Sequence, residues 1–183
     1  MVPVGVRPAL LGEQFYVTDT DTTNGPAKVA ELASDIKFAM LTTVDADGEL
    51  VSRPMAHQAV EADSDLWFFS SRDSRKVQHV EANPHVAVTL ASSSTWVSIN
   101  GSAAVVDDVQ KAKDLWSVDM DAWFPQGPDD PSIVLIKVTG ETAEYWDGPG
   151  GRVSSVLSLA KSKLTGKRYS GGDNEKVDLG SEI

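Results

Sequence analysis

Basic residues are scarce in this chain, and several are gathered in one place. Of 183 residues, 27 are acidic and 16 are Lys or Arg, giving a formal net charge of −11. Yet Arg72, Arg75 and Lys76 share a single polar turn with the hydroxyls of Ser70 and Ser74. Four large apolar residues, Leu66, Trp67, Phe68 and Phe69, lead into the turn and favour a strand. Val77 and Val80 follow at helical spacing, Asn83-Pro84 ends the helix, and Asp73 or Ser74 can cap its start. A helix N-terminus presents unpaired N–H groups and the positive end of the helix dipole, worth about 0.3–1 kcal/mol toward a negative charge. The residues alone allow two readings: a grip on a phosphate, or a solvated basic helix start.

Other chemistries find less support. His57, His79 and His85 have no carboxylate or second histidine at metal-ligand spacing on an assignable face. No serine lies in a G-x-S-x-G elbow. Asp119/Asp121 and Asp129/Asp130 stand close to prolines and read as solvated loop carboxylates rather than an acid–base pair. No residue is assigned as a general acid or base. With no cysteine, disulfides, thiol catalysis and thiolate zinc sites are excluded. Among the five tryptophans, Trp67 and Trp116 suit a core. Trp96, Trp123 and Trp146 border polar turns or strand ends, where an aromatic covers a flat ligand or packs in a core or dimer interface.

The elements that must position these residues follow from the pattern. A hydrophobic share of 41% supports one sizeable core. The acidity argues against nucleic acid as a partner. No apolar run approaches the ~18 residues of a membrane span. The segment containing Pro3 and Pro8 does not read as a signal peptide, and a soluble cytoplasmic protein is expected. Residues 1–25 read as a flexible arm, followed by a short helix from Pro26 to about Asp35. Strands are expected at 38–44, 49–60, 66–69, 86–91, 95–106 and 133–146, with a hairpin turn at 45–48 and a bulge or bend at Gly101. Helices are expected between the third and fourth strands and over 109–118. An irregular stretch at 119–131 carries Trp123-Phe124-Pro125. Val153, Val156, Leu157, Ala160 and Leu164 predict a C-terminal amphipathic helix. Residues 167–183 read as a loose tail. The sum is a mainly β (α+β) fold: a six-stranded antiparallel split β-barrel with short flanking helices, its domain spanning 26–166.

With these segments side by side, FAMLTTVDADGELVSRPM, LWFFSSRDSRKVQHVEANPHVAV, WVSINGSAAVV, LW…WFP-x-G-x-x-D-P and AEYWDGP, the chain resembles a known family. It is similar to the general-stress-protein subgroup of the pyridoxamine 5'-phosphate oxidase-like split barrels, over about residues 29–146. The resemblance implies a homodimer with FMN at the subunit interface. It implies that Arg53-Pro54-Met55 lies along the flavin, and that Phe69 and Ser70 flank the ribityl phosphate. Ser74-Arg75-Lys76 corresponds to the phosphate turn. Trp96 occupies a flavin-contact position, and Trp123, Phe124 and Trp146 correspond to aromatics over the ring, from the same or the partner chain. It further implies flavin oxidoreductase activity on an unknown substrate, with NAD(P)H or another small molecule as donor. A non-catalytic flavin storage or sensing module, or a barrel holding F420 or haem, are the alternatives. Two departures argue against oxidation of the vitamin itself. Gln58 stands where the true oxidases hold the substrate phosphate with a basic residue, and DGPGGRV replaces their C-terminal Arg/His-Asp-Arg segment.

Overall fold

The computed structural model describes residues 25–61, 65–148 and 173–180. Six strands close into an antiparallel barrel, and a seventh extends the sheet. The strands are β1 (Phe38–Val44), β2 (Leu50–Val60), β3 (Leu66–Ser71), β4 (His85–Ala91), β5 (Thr95–Val106), β6 (Ile133–Asp147) and β7 (Asp173–Asp178). They neighbour one another in the order β3-β2-β1-β4-β5-β6-β7, and β3 pairs with β6 to close the barrel. Alternation dictates which face goes inward. Ala39, Leu41 and Thr43 of β1, Val86, Val88 and Leu90 of β4, and Val97, Ile99 and Ala103 of β5 all point into the core. Helix α1 (Gly25–Ser34) packs Val29, Leu32 and Ala33 onto the same cluster.

Gly101 is the bend expected from the sequence. The β5–β6 register shifts between Asn100 and Gly101. A Cβ on Gly101 would sit 2.0 Å from the Thr139 carbonyl oxygen, so no other residue allows the two strands to approach this closely.

A second, smaller hydrophobic cluster lies outside the barrel. Trp67, Phe69, Ile133 and Leu135 of β3 and β6 meet Ala112 of α3 (Val109–Leu115) and Met120 of α4 (Val118–Asp121) there. The single helix expected over 109–118 is therefore two. Trp116 leaves α3 with extended backbone, packs edge-on against Phe69 at 5.2 Å, and donates its Nε1–H to Asp121 at 2.9 Å. The break falls at Trp116, whose partly buried indole packs on Phe69 rather than continuing the helix.

The tail also departs from expectation. Asp173–Asp178, read as loose, pairs with β6 from Thr142 to Asp147. This strand has little apolar content of its own. It is held by main-chain pairing, by the Tyr145 hydroxyl donating to Glu175 at 2.7 Å, and by Val177, which is buried in the barrel cluster beside Gly25. The arm before Gly25 and the helix expected over 153–164 lie outside the described residues. No helix among the described residues is long and apolar enough to cross a membrane.

Candidate functional site

The barrel is split where β2 leaves β3. β2 pairs with β3 only through His57, Ala59 and Val60, while Phe69, Ser70 and Ser71 pair with β6 alone. Residues 53–56 and 69–71 thus face each other across a cleft of about 400 Å³. Pro54 is tolerated in the strand because no β3 partner requires its missing N–H. Phe38 of β1 lines the cleft at one side, and Met120, Trp123 and Phe124 form its opposite wall. Phe124 packs with Phe69 and Trp116 at centroid distances of 6.2 and 6.3 Å, whereas Trp123 stands 74% exposed.

One end of the cleft is cationic. Helix α2 (Arg75–Ala82) begins there, and Lys76 reaches the cleft beside Arg53. Arg53 is half-buried on the barrel side of β2, with its Nη1 donating to the Leu41 carbonyl at 3.1 Å. Burial pushes the Arg53 guanidinium below its ordinary pKa, and Arg75 pushes it further. Burial likewise lowers Lys76, with Arg53 adding to the effect and Asp73 opposing it. Among the described residues none of these three cations makes a salt bridge, although Lys28, Lys37, Arg72, Lys111, Lys113 and Lys137 all do. Arg53 and Lys76, partly desolvated and repelling each other, with exposed Arg75 beside them, can together attract an anion.

The hydroxyls complete that end. Ser74 occupies the N-cap position, but neither its side chain nor that of Asp73 caps the helix as expected. Its Oγ instead lies 2.9 Å from the Ser70 Oγ, which bonds to the Ser71 carbonyl at 3.1 Å. The Ser74 and Val77 N–H groups are bonded to the Ser71 and Ser74 carbonyls, which leaves those of Arg75 and Lys76 at the helix start for a ligand.

Of the residues singled out from sequence, Arg53, Pro54, Met55, Phe69, Ser70, Lys76, Trp123 and Phe124 line the cleft. Ser74 and Arg75 stand immediately behind its cationic end. Arg72 does not join them: its guanidinium turns away to Pro131 and Asp107. Trp96 and Trp146 do not line the cleft either. They face each other across β5 and β6 on the barrel's outer surface, 45% and 37% exposed. They are nevertheless aligned with it. Ala91 pairs with Trp96 on β4–β5, and Phe38 follows directly on the Ala39–Leu90 pair of β1–β4. An exposed apolar row thus runs from the cleft across four strands. Phe38, Ala56, Ser71 and Met120 belong to the cleft without having been marked in the sequence.

Comparison with known proteins agrees with this architecture. The chain belongs to the pyridoxamine 5'-phosphate oxidase-like family, whose sequence model matches residues 25–170. It is 32% identical over 155 residues to Protein bli-3 of Neurospora crassa, covering 76% of this chain and 74% of that one. A structure from Jannaschia sp. CCS1 named general stress protein 26 superposes with a TM-score of 0.71 at 22% identity, over 86% of this chain and 99% of that chain. General Stress Protein 26 from Bacillus anthracis superposes with a TM-score of 0.60 at 26% identity, over 67% of this chain and 93% of that chain. Two more distant structures share the fold alone. One is an FMN binding protein from Nostoc punctiforme (TM-score 0.53, 14% identity, 66% of this chain and 81% of that chain). The other is a heme binding protein from Mycobacterium smegmatis (TM-score 0.58, 10% identity, 84% of this chain and 57% of that chain).

Proposed function

We propose that the cleft binds FMN and that the protein is a flavin-dependent oxidoreductase of the general-stress-protein group, acting as a homodimer. One observation carries this reading: Arg53 and Lys76, partly desolvated and in no ion pair among the described residues, line one end of a cleft beside a helix start that also carries Arg75, and the cleft is otherwise largely apolar and aromatic. A phosphate joined to a flat ring has that distribution of charge and surface. The donor set fits the group. Ser70, Ser74, Arg75 and Lys76 hold the phosphate, Arg53 to Met55 lie along the ring, and Trp123 with Phe124 shields it from water. Convergence of the cations on a single point favours one phosphate over the two separated carboxylates of a haem.

Bound FMN supplies the electron transfer, and the protein supplies binding, orientation and electrostatics. The unpaired cations near the ligand favour an electron-rich ring as well as the phosphate. The exposed row of Phe38, Trp96 and Trp146 supports a second copy of the chain completing the cleft. NAD(P)H is the donor to test first.

The experiment is an absorbance spectrum of the purified protein, followed by reconstitution with FMN and assay of NAD(P)H oxidation with an added electron acceptor. A flavin spectrum with steady turnover supports the reading. A flavin spectrum without turnover for any donor leaves a storage or sensing module. A haem or deazaflavin spectrum overturns FMN.

A further inference from the structure

Arg72 belongs by sequence with Arg75 and Lys76, but the fold gives it other partners. Its main-chain N–H donates to the Ser132 carbonyl at 2.7 Å, its Nε to the Pro131 carbonyl at 3.0 Å, and its Nη2 to Asp107 at 2.7 Å. These partners are the two ends of one excursion. Asp107 opens the segment that leaves β5 and carries α3 and α4, and Pro131-Ser132 closes it just before β6. Met120, Trp123 and Phe124, the aromatic wall of the cleft, lie inside that segment. A single guanidinium therefore staples the base of the excursion. The staple itself sits in the turn whose Ser71 carbonyl accepts the Ser74 N–H at 3.1 Å, at the threshold of the cationic end.

We propose that Arg72 is a positioning residue. It anchors the aromatic wall beside the cationic grip, and so holds the surface on which the flat ring of a phosphorylated ligand packs. The inference rests on the reading of the cleft as a site for a phosphorylated ring. Its planar fork suits the task, because it reaches a carbonyl and a carboxylate at once in a fixed geometry that a lysine does not reproduce. Other ties hold the middle of the excursion: Lys111 bonds to Glu61 at 2.7 Å, and Trp116 and Phe124 pack on Phe69, but none of these joins its two ends as Arg72 does. Lys37 pairs with Asp119 in solvent, and Lys113 bonds to Asp129 at 2.6 Å within the segment.

The test compares Arg72→Ala, Arg72→Gln and Lys76→Ala with the wild type, measuring FMN and riboflavin affinity on the full chain. A positioning residue acts on the ring wall. Arg72→Ala is therefore expected to weaken both flavins by about tenfold, keeping their affinity ratio near the wild-type value, whereas Lys76→Ala weakens FMN alone. Arg72→Gln lacks the charge but keeps a donor for the Pro131 carbonyl, so it recovers part of both affinities, and it carries the same comparison should the alanine variant fail to fold. Amide hydrogen exchange without any ligand gives an independent readout: the N–H groups of Trp123 and Phe124, which donate to Met120 at 3.0 and 2.8 Å, exchange faster in the variants. If Arg72→Ala weakens FMN but not riboflavin, Arg72 is an anion ligand and the proposal is overturned. Unchanged affinities and unchanged exchange overturn it as well. A wild type that binds neither flavin overturns the flavin reading instead, while the exchange comparison still decides the role of Arg72.

Discussion

Arg75 and Lys76 are neighbours in sequence, yet only Lys76 lines the cleft, while Arg75 acts on it through Arg53. If both grip a phosphate, each contributes a charge-assisted hydrogen bond of about 1.5–3 kcal/mol. Replacing either by Ala is then expected to weaken FMN binding roughly 10- to 100-fold and leave riboflavin, which has no phosphate, nearly unaffected. Flavin titrations that show no loss even for the double variant would reduce the turn to a solvated helix start. A pH dependence follows from Lys76 as well. Burial first and Arg53 second lower its pKa, so between the folded and unfolded values the unfolded chain binds more protons. Stability of the ligand-free protein therefore rises as pH climbs through the folded value. FMN affinity falls over the same window, because the phosphate needs the charged ammonium. Titrating FMN affinity from neutral into alkaline pH should reveal a step that Lys76→Ala lacks. Most of the site is legible in the sequence because its chemistry is concentrated in one turn and one Arg-Pro-Met segment. Phe38 and Met120 carry no such signal. An apolar residue on the outer face of a strand, or in an acidic stretch, reads as surface until the splay of β2 from β3 turns it into a wall.

Elements follow the pattern wherever burial alternates, so β1, β4 and β5 fall where their apolar residues place them. Two do not. One helix breaks at Trp116, whose indole makes a tertiary contact that no local propensity encodes. Strand β7, with the sequence DNEKVD, is polar at nearly every position and owes its existence to the open edge of β6 rather than to its own residues. Its one apolar anchor is testable. Val177→Ala removes a buried side chain from the barrel cluster and is expected to cost about 1–3 kcal/mol. Calorimetry should show this as a drop in Tm of roughly 5 °C. FMN affinity should stay within about twofold of the wild type, since Val177 packs in the barrel cluster and lines no part of the cleft. An equal loss of affinity would mean that β7 reaches the ligand.

On the scale of the whole molecule, the barrel keeps Phe38, Met40, Trp96 and Trp146 at 59%, 42%, 45% and 37% exposure along one outer surface. Stable obligate interfaces commonly bury more than about 2,000 Å² and draw on such aromatics. Sedimentation at micromolar concentration should give a dimer, and Trp96→Glu with Trp146→Glu should give a monomer with weakened FMN binding. A wild-type monomer that holds FMN fully would exclude a shared site. The contact between Val177 and Gly25 bears on how such a molecule is made. It joins the first described helix to the last described strand, so it is among the contacts of greatest sequence separation in the fold. During synthesis the six strands of the barrel emerge from the ribosome before β7 does, and the end of the barrel beside α1 stays open to water until residue 177 has followed. The nascent chain therefore passes through a stage with its sheet largely built and the β6 edge from Thr142 to Asp147 unpaired. An unpaired strand edge of that kind is a template for pairing with another chain.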